Sequence, residues 1–204
     1  MGAWALATWA LVASGAPGAW EQVSSGEVEV WVRQTPHSGV REVRASKVIH
    51  ASAERLKALI SDEERARHGP HVVEYRSVAD PSPGVWIRYA RVSVPLMEDR
   101  DAFVRVTQDR DLQPDGTGEY HLSWVPWGDD RPTRSGVVRV RQTRGYWDIQ
   151  SLGNGFSRVE YDLACDPGGM MPSFVVNLVN KRLVPGVLFD LERDALKQPN
   201  PHAR

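Results

Sequence analysis

Proton transfer inside a protein needs titratable groups held within hydrogen-bond reach of the reacting atom, with pKa values near the working pH. The sequence offers Arg88, Asp101, Arg105, His121 and Arg182 as candidates, and no two of them form a recognisable acid/base dyad. Six histidines, at positions 37, 50, 68, 71, 121 and 202, lack the i, i+4 pairing of a helical metal site. No HExxH, CxxC, GxSxG or glycine-rich phosphate loop occurs. Cys165 is the one cysteine, so an internal disulfide or thiolate metal cluster is excluded, and its inward strand parity reads as a small core residue. No catalytic residue, metal or cofactor is expected.

The remaining chemistry is non-covalent. Alternation puts Tyr120, Leu122 and Trp124 on one strand face, Trp147 and Ile149 on another and Tyr161 beyond them, with Trp86 and Phe103 joining according to strand parity. Large aromatic faces with few polar groups either fill a solid core or wall an apolar pocket for a small molecule. Arg88 shares a face with Trp86, Ala90 and Val92, so it is either a solvated edge group or a polar anchor inside such a pocket.

The element that must position these residues spans 157–197. Its strand alternates Val159, Tyr161, Leu163 and Cys165 with Arg158, Glu160 and Asp162, which leaves one face in need of cover. Asp166-Pro167-Gly168-Gly169 ends the strand, and Pro172 suits the first turn of a helix because its missing N–H is not needed there. Phe174, Val175, Leu178, Val179 and Leu183 form the apolar side of that helix, opposite Asn177, Asn180 and Lys181. Arg182 falls inside the apolar stripe, where it must pair with a buried carboxylate or a ligand head, or reach past the rim to water. Pro185 would clash with the Lys181 carbonyl, so a kink or break is expected near it.

Ahead of this element, 27–35 and 40–49 alternate as a hairpin, and Ser52 caps a helix running to about Ile60. Residues 61–69 read as a short helix or loop. Strand-like segments follow at 72–79, 85–94, 102–109, 118–125, 137–143, 146–151 and 156–165, separated by proline, glycine, asparagine and aspartate turns. The links are too short for parallel crossovers, so the chain is an α+β domain of about nine antiparallel strands whose sheet curls around the last helix.

At 204 residues and 41% hydrophobic, with no repeat, one core in one domain is expected, over 20–197, with 198–204 as a flexible C-terminal tail. A charge of −1 from 25 basic and 26 acidic residues excludes a nucleic-acid face and a polybasic membrane anchor. Residues 1–19 are uncharged, with an apolar core too short to span a membrane, and read as a signal peptide, which places the protein in the periplasm or outside the cell; a retained leader would leave it cytoplasmic.

WIRYARVSVPLMEDRDAFV (86–104), Gly145-Tyr146-Trp147, Val159-Glu160-Tyr161, Asp166-Pro167-Gly168-Gly169 and the 172–177 run together resemble the START (StAR-related lipid-transfer) domain, a helix-grip fold of the Bet v 1-like superfamily. The likeness covers about Trp20 to Leu196 and departs from the family after Asp62, where no Trp follows. It implies a curved antiparallel sheet gripping a long C-terminal helix over an apolar cavity that holds one sterol, phospholipid or similar molecule. It implies a monomer that binds and transfers a lipid without catalysis, with any membrane contact transient. The ligand-binding candidates are Trp86, Arg88, Phe103, Tyr120, Trp124, Trp147, Tyr161, Phe174, Leu178 and Arg182. Arg100 and Asp101 read as a structural pair at a strand start. The runner-up is a polyketide cyclase or aromatase working in the same cavity, and a third reading is a ligand-sensing or interaction module. Amino-terminal sequencing from the native host should find the mature chain beginning between Ala16 and Trp20, and an intact Met1 in a cytoplasmic fraction would refute export.

Overall fold

The computed structural model describes residues 18–35, 41–93, 97–128, 133–166, 168 and 184–197. The expectations for 1–17, for the tail and for the helix over 172–183, including Phe174, Leu178 and Arg182, lie outside these residues.

Strands β1 (Glu21–Ser25), β2 (Glu29–Gln34) and β3 (Arg41–Ile49) open the domain. Helix α1 (Ala53–Ser61) follows, with the Ser52 side chain accepting from the Arg55 N–H as its cap, and then α2 (Glu63–Arg67), capped by Asp62. The remaining strands are β4 (Val72–Ala79), β5 (Val85–Val92), β6 (Asp99–Arg110), β7 (Glu119–Pro126), β8 (Val137–Arg139), β9 (Gln142–Gly153) and β10 (Phe156–Asp166). Helix α3 (Val184–Leu196) closes the described chain. Its described part runs from Val184 and includes Pro185. Whether the chain bends ahead of it lies outside the described residues.

The strands form one sheet in the order β1-β2-β3-β10-β9-β7-β6-β5-β4, antiparallel along the whole path, with β8 beside β6. The nine strands on the path match the expected count, but two details differ. The 137–143 segment is not one strand: β8 pairs in parallel with the start of β6, and β9 begins only at Gln142. Asp101 is the cause. It accepts from Arg139 at 2.7 Å (Nε) and 3.2 Å (Nη2), and its carbonyl accepts from the Val140 N–H at 2.8 Å, which pins the short strand alongside β6. Asp101 therefore pairs with Arg139 and not with its neighbour Arg100, because adjacent strand residues point to opposite faces. The second difference is β1, whose EQVSS sequence carries no apolar alternation. Trp20, just before it, lies under the guanidinium groups of Arg33 and Arg44 at 4.5 and 4.4 Å, which holds the edge in place.

One face of the sheet is apolar. Val30, Val32, Val43, Ala45, Ile49, Val106, Tyr120, Leu122, Ile149 and Val159 share a core with Leu56 of α1 and with Val184, Leu188 and Leu191 of α3. The 4, 3 spacing of those three α3 residues makes a single stripe, and burying each of its leucines contributes about 1.5 to 3 kcal/mol. Lys47, on the same face of β3 and only 5% exposed, bonds Glu192 of α3 at 3.2 Å and also Glu27. Burial lowers its pKa, but these two carboxylates outweigh burial and leave it raised.

The opposite face holds the charges. Glu42, Asp162, Glu160, Arg33, Arg44 and Arg144 form one network, with Arg33–Glu42 at 2.7 Å and Arg44–Asp162 at 3.2 Å. Burial, then the Glu42 charge and its hydrogen bond, push the Asp162 carboxyl well above the usual range against the opposing pull of Arg44. Burial also acts to raise Glu42, but the hydrogen bonds from Arg33 and Asp162 dominate and lower it.

Two predictions follow from these pairs. Asp101→Ala should cost about 3 to 5 kcal/mol in urea unfolding, because it takes the carboxylate from a guanidinium that is largely buried. The raised Asp162 carboxyl makes the folded state bind a proton more tightly than the unfolded chain, so this contribution is lost as pH rises above the ordinary carboxylate range. Asp162→Asn, which keeps a donor toward Glu42, should match the wild type at pH 5 and exceed it at pH 8 by about 1 kcal/mol or more. An unchanged difference between the two pH values would contradict that assignment.

Candidate functional site

Strand register assembles the aromatic residues into lines across the concave face. Val30, Ala45, Tyr161, Trp147 and Leu122 stand in successive cross-strand pairs. The next line runs Val32, Val43, Leu163, Gly145, Trp124, Val106, Trp86. Gly145 is a fixed requirement of this line, because a Cβ there would fall 2.0 Å from the Asp162 carbonyl oxygen and 2.5 Å from the Trp124 ring. With only hydrogen at that position the Trp124 indole lies over the strand and reaches Tyr161, at 5.8 Å between ring centroids; Tyr161 in turn lies 4.5 Å from Trp147.

This face has two parts. Val159, Ile149 and Tyr120 are fully buried where α1 and α3 cover them, and the Tyr120 hydroxyl is satisfied by Ser61 Oγ at 3.1 Å. Trp86, Val104, Trp124, Trp147, Tyr161 and Leu163 pack against the same core but keep accessible surface. The Tyr161 phenol is nevertheless pushed strongly upward, by desolvation first and then by Cys165 and Asp162. Cys165 shares this character: it is half-buried, and burial pushes its thiol up to about 11 against a hydrogen bond from Thr143.

Of the residues singled out in the sequence, Trp86, Arg88, Tyr120, Trp124, Trp147 and Tyr161 share the concave face. Phe103 does not. The parity of β6 turns Ala102, Val104 and Val106 inward, and Phe103 packs on the convex side against Tyr89, 4.6 Å between centroids, with the Arg139 guanidinium over its ring at 4.9 Å. Asp101 and His121 also lie on the convex face, the latter with Nδ1 3.1 Å from Asp148 and its ring against Tyr146. Asp101 and His121 thus bring no acid/base pair to the concave face, and the described residues hold no cluster of His, Cys, Asp or Glu fit for a metal.

Reading the sequence missed Tyr75 and Ser77 of β4 and Glu63 of α2. Ser77 pairs with Arg88 and Tyr75 with Ala90, which puts both on the concave side. The tight turn at Asp80, where its N–H bonds the Val85 carbonyl at 3.0 Å, sets that register and was the signal available for finding them. A polar groove lined by Arg110, Asp111, Gly118, Glu119, Gln150 and Ser151 lies apart from this face. Its charges are already paired, Arg110 with Glu119 at 2.6 Å and with Asp148 at 2.8 Å.

No family model matches the sequence. An uncharacterized protein of Pseudomonas aeruginosa, PA1579, is 27% identical over 152 residues, 74% of this chain and 73% of that protein. Rat phosphatidylcholine transfer protein is 34% identical over 113 residues, which span 53% of this chain and about half, 51%, of the relative. Human STARD10 superposes with a TM-score of 0.75 over 88% of this chain and 74% of its own at 22% identity. A STAR-related lipid transfer protein from Xanthomonas axonopodis gives 0.69 over 87% and 99% at 23%. A Streptomyces aromatase/cyclase gives 0.50 over 76% and 92% at 13%. Register, concave aromatic face and covering C-terminal helix together give this chain the helix-grip fold of the START (StAR-related lipid-transfer) domains.

Proposed function

We propose that the protein holds one lipid, a sterol, phospholipid or similar amphiphile, against the concave face and carries it unchanged. The observation that carries this reading is the aromatic trio Trp124, Tyr161 and Trp147, gathered around the phenol ring and only half-buried on a face otherwise built as a core. Burying ~400 Å² of ligand at ~25 cal/mol/Å² offers about 10 kcal/mol before the cost of association, enough for a stable complex without covalent chemistry. The naming of the relatives as lipid-transfer proteins supports the same reading. The cyclase alternative needs a proton donor and acceptor beside the ligand, whereas Asp101 and His121 face away from it. We place the activity outside the cytoplasm, on the strength of the uncharged leader, and in a monomer carrying one ligand per chain.

Native mass spectrometry of the purified protein, followed by lipid extraction, tests this. The expected result is a one-to-one adduct whose mass is constant over hours of incubation. Trp147→Ala should weaken that lipid by about 1 to 2 kcal/mol, roughly tenfold, in fluorescence titration through loss of ring contact. A recovered ligand of altered mass would move the cyclase reading ahead, and a protein that takes up no amphiphile would overturn both.

A further inference from the structure

Besides Lys47, the described concave face carries a second polar stretch. At its β4–β5 end Ser77 stands directly opposite Arg88, and Tyr75 lies next along β4 on the same face. The Arg88 Nε, the Tyr75 hydroxyl and the Ser77 hydroxyl are all shut off from solvent; the Arg88 Nε has no hydrogen-bond partner, and the two hydroxyls have only each other. Buried polar atoms are nearly always bonded, so an unpartnered guanidinium N–H beside two hydroxyls that use only one hydrogen between them marks a place where an acceptor belongs.

The charge is also incomplete. The carboxylate in reach of Arg88 is Glu63, whose Oε1 lies 3.9 Å away on α2 with 41% of its side chain exposed, while the Arg88 side chain is 18% exposed. That contact sits at the outer limit of an ion pair. Lys47, the other inward cation discussed above, has two carboxylates. The Tyr75 phenol is raised chiefly by burial, with Arg88 and a hydrogen bond from Ser77 pulling the other way, so it stays a neutral donor at physiological pH.

The three groups define what they can receive. A guanidinium only donates, and the two hydroxyls can both turn their hydrogens the same way, so their complement is a group that only accepts: a phosphate or carboxylate oxyanion. Trp86 adjoins the site, 5.8 Å from the Arg88 guanidinium to its ring centroid, and its line leads through Val106 to Trp124. An acyl chain can therefore run over the aromatic wall while its head stays at Arg88.

We propose that Arg88, Tyr75 and Ser77 form the head-group site of this protein, and that its ligand is an amphiphile bearing a phosphate or carboxylate oxyanion. This rests on the lipid-binding reading above. Four probes separate the two: dodecyl phosphate, dodecanoate, dodecanol and inorganic phosphate, titrated into the full chain by calorimetry. Wild type should bind dodecyl phosphate and dodecanoate about tenfold or more tighter than dodecanol, the scale of a charge-assisted hydrogen bond, and inorganic phosphate far more weakly than dodecyl phosphate. Arg88→Met should cancel that preference while leaving dodecanol within about twofold, Arg88→Lys should keep part of it, and Tyr75→Phe and Ser77→Ala should each reduce it by about threefold.

Equal affinity of wild type for the anionic probes and dodecanol overturns the head-group site and leaves lipid binding standing. So does an equal loss of all three chain probes in Arg88→Met, which assigns the arginine to folding alone. Inorganic phosphate matching dodecyl phosphate makes this an ion site and overturns the amphiphile. No binding of any chain probe by the folded wild type overturns the lipid reading, and this proposal with it.

Discussion

A curved sheet with one apolar face is unstable until something covers that face, and among the described residues two helices supply that cover. Leu56 of α1 and Val184, Leu188 and Leu191 of α3 close over Val159, Ile149 and Tyr120, which are buried completely. Beyond that closed region the same strands continue with indoles and a phenol that keep accessible surface. Among the described residues, the extent of the fully buried part follows the reach of these two helices. It does not follow a change in strand composition, because a sheet face is equally apolar in both parts.

Electrostatics reinforces this division. The Glu42, Asp162 and Arg44 network and the Asp101–Arg139 pair occupy the convex side, where the sheet can carry charge without taxing the core. On the concave side Lys47 is neutralised by Glu27 and Glu192, so it acts as a bolt between sheet and helix. Arg88 has no such pair of partners, and its neighbours contribute hydroxyl groups. Among the described residues Lys47 and Arg88 thus have opposite local accounting, one paired with two carboxylates and one at the outer limit of a single ion pair.

Much of this was legible in the residues. The period-two runs located the strands, β4 to the residue, and Ser52 capped the helix that its position promised. The parity of Tyr120, Trp124, Trp147 and Tyr161 gave a common face, since alternation along a strand is a local property that register then extends. Parity for Phe103 was not decidable, because 102–106 carries apolar residues on both sides, and it came out convex. The polar residues of β4 gave no hint of an inward face, and so Tyr75 and Ser77 went unseen.

By itself the sequence determined the α+β class, the one apolar strand face, the turns and the absence of any motif for metal or nucleophilic chemistry, because each depends on neighbours within a few positions. Only the tertiary structure decided that Asp101 bonds Arg139 and not Arg100, that β8 runs parallel to β6, that Trp124 rests on Gly145, and that Arg88 meets Tyr75, Ser77 and Glu63. Those contacts join positions 11 to 38 residues apart through strand register and helix placement. Local propensity carries no information at that separation, so these contacts become visible only when the sheet has closed around them.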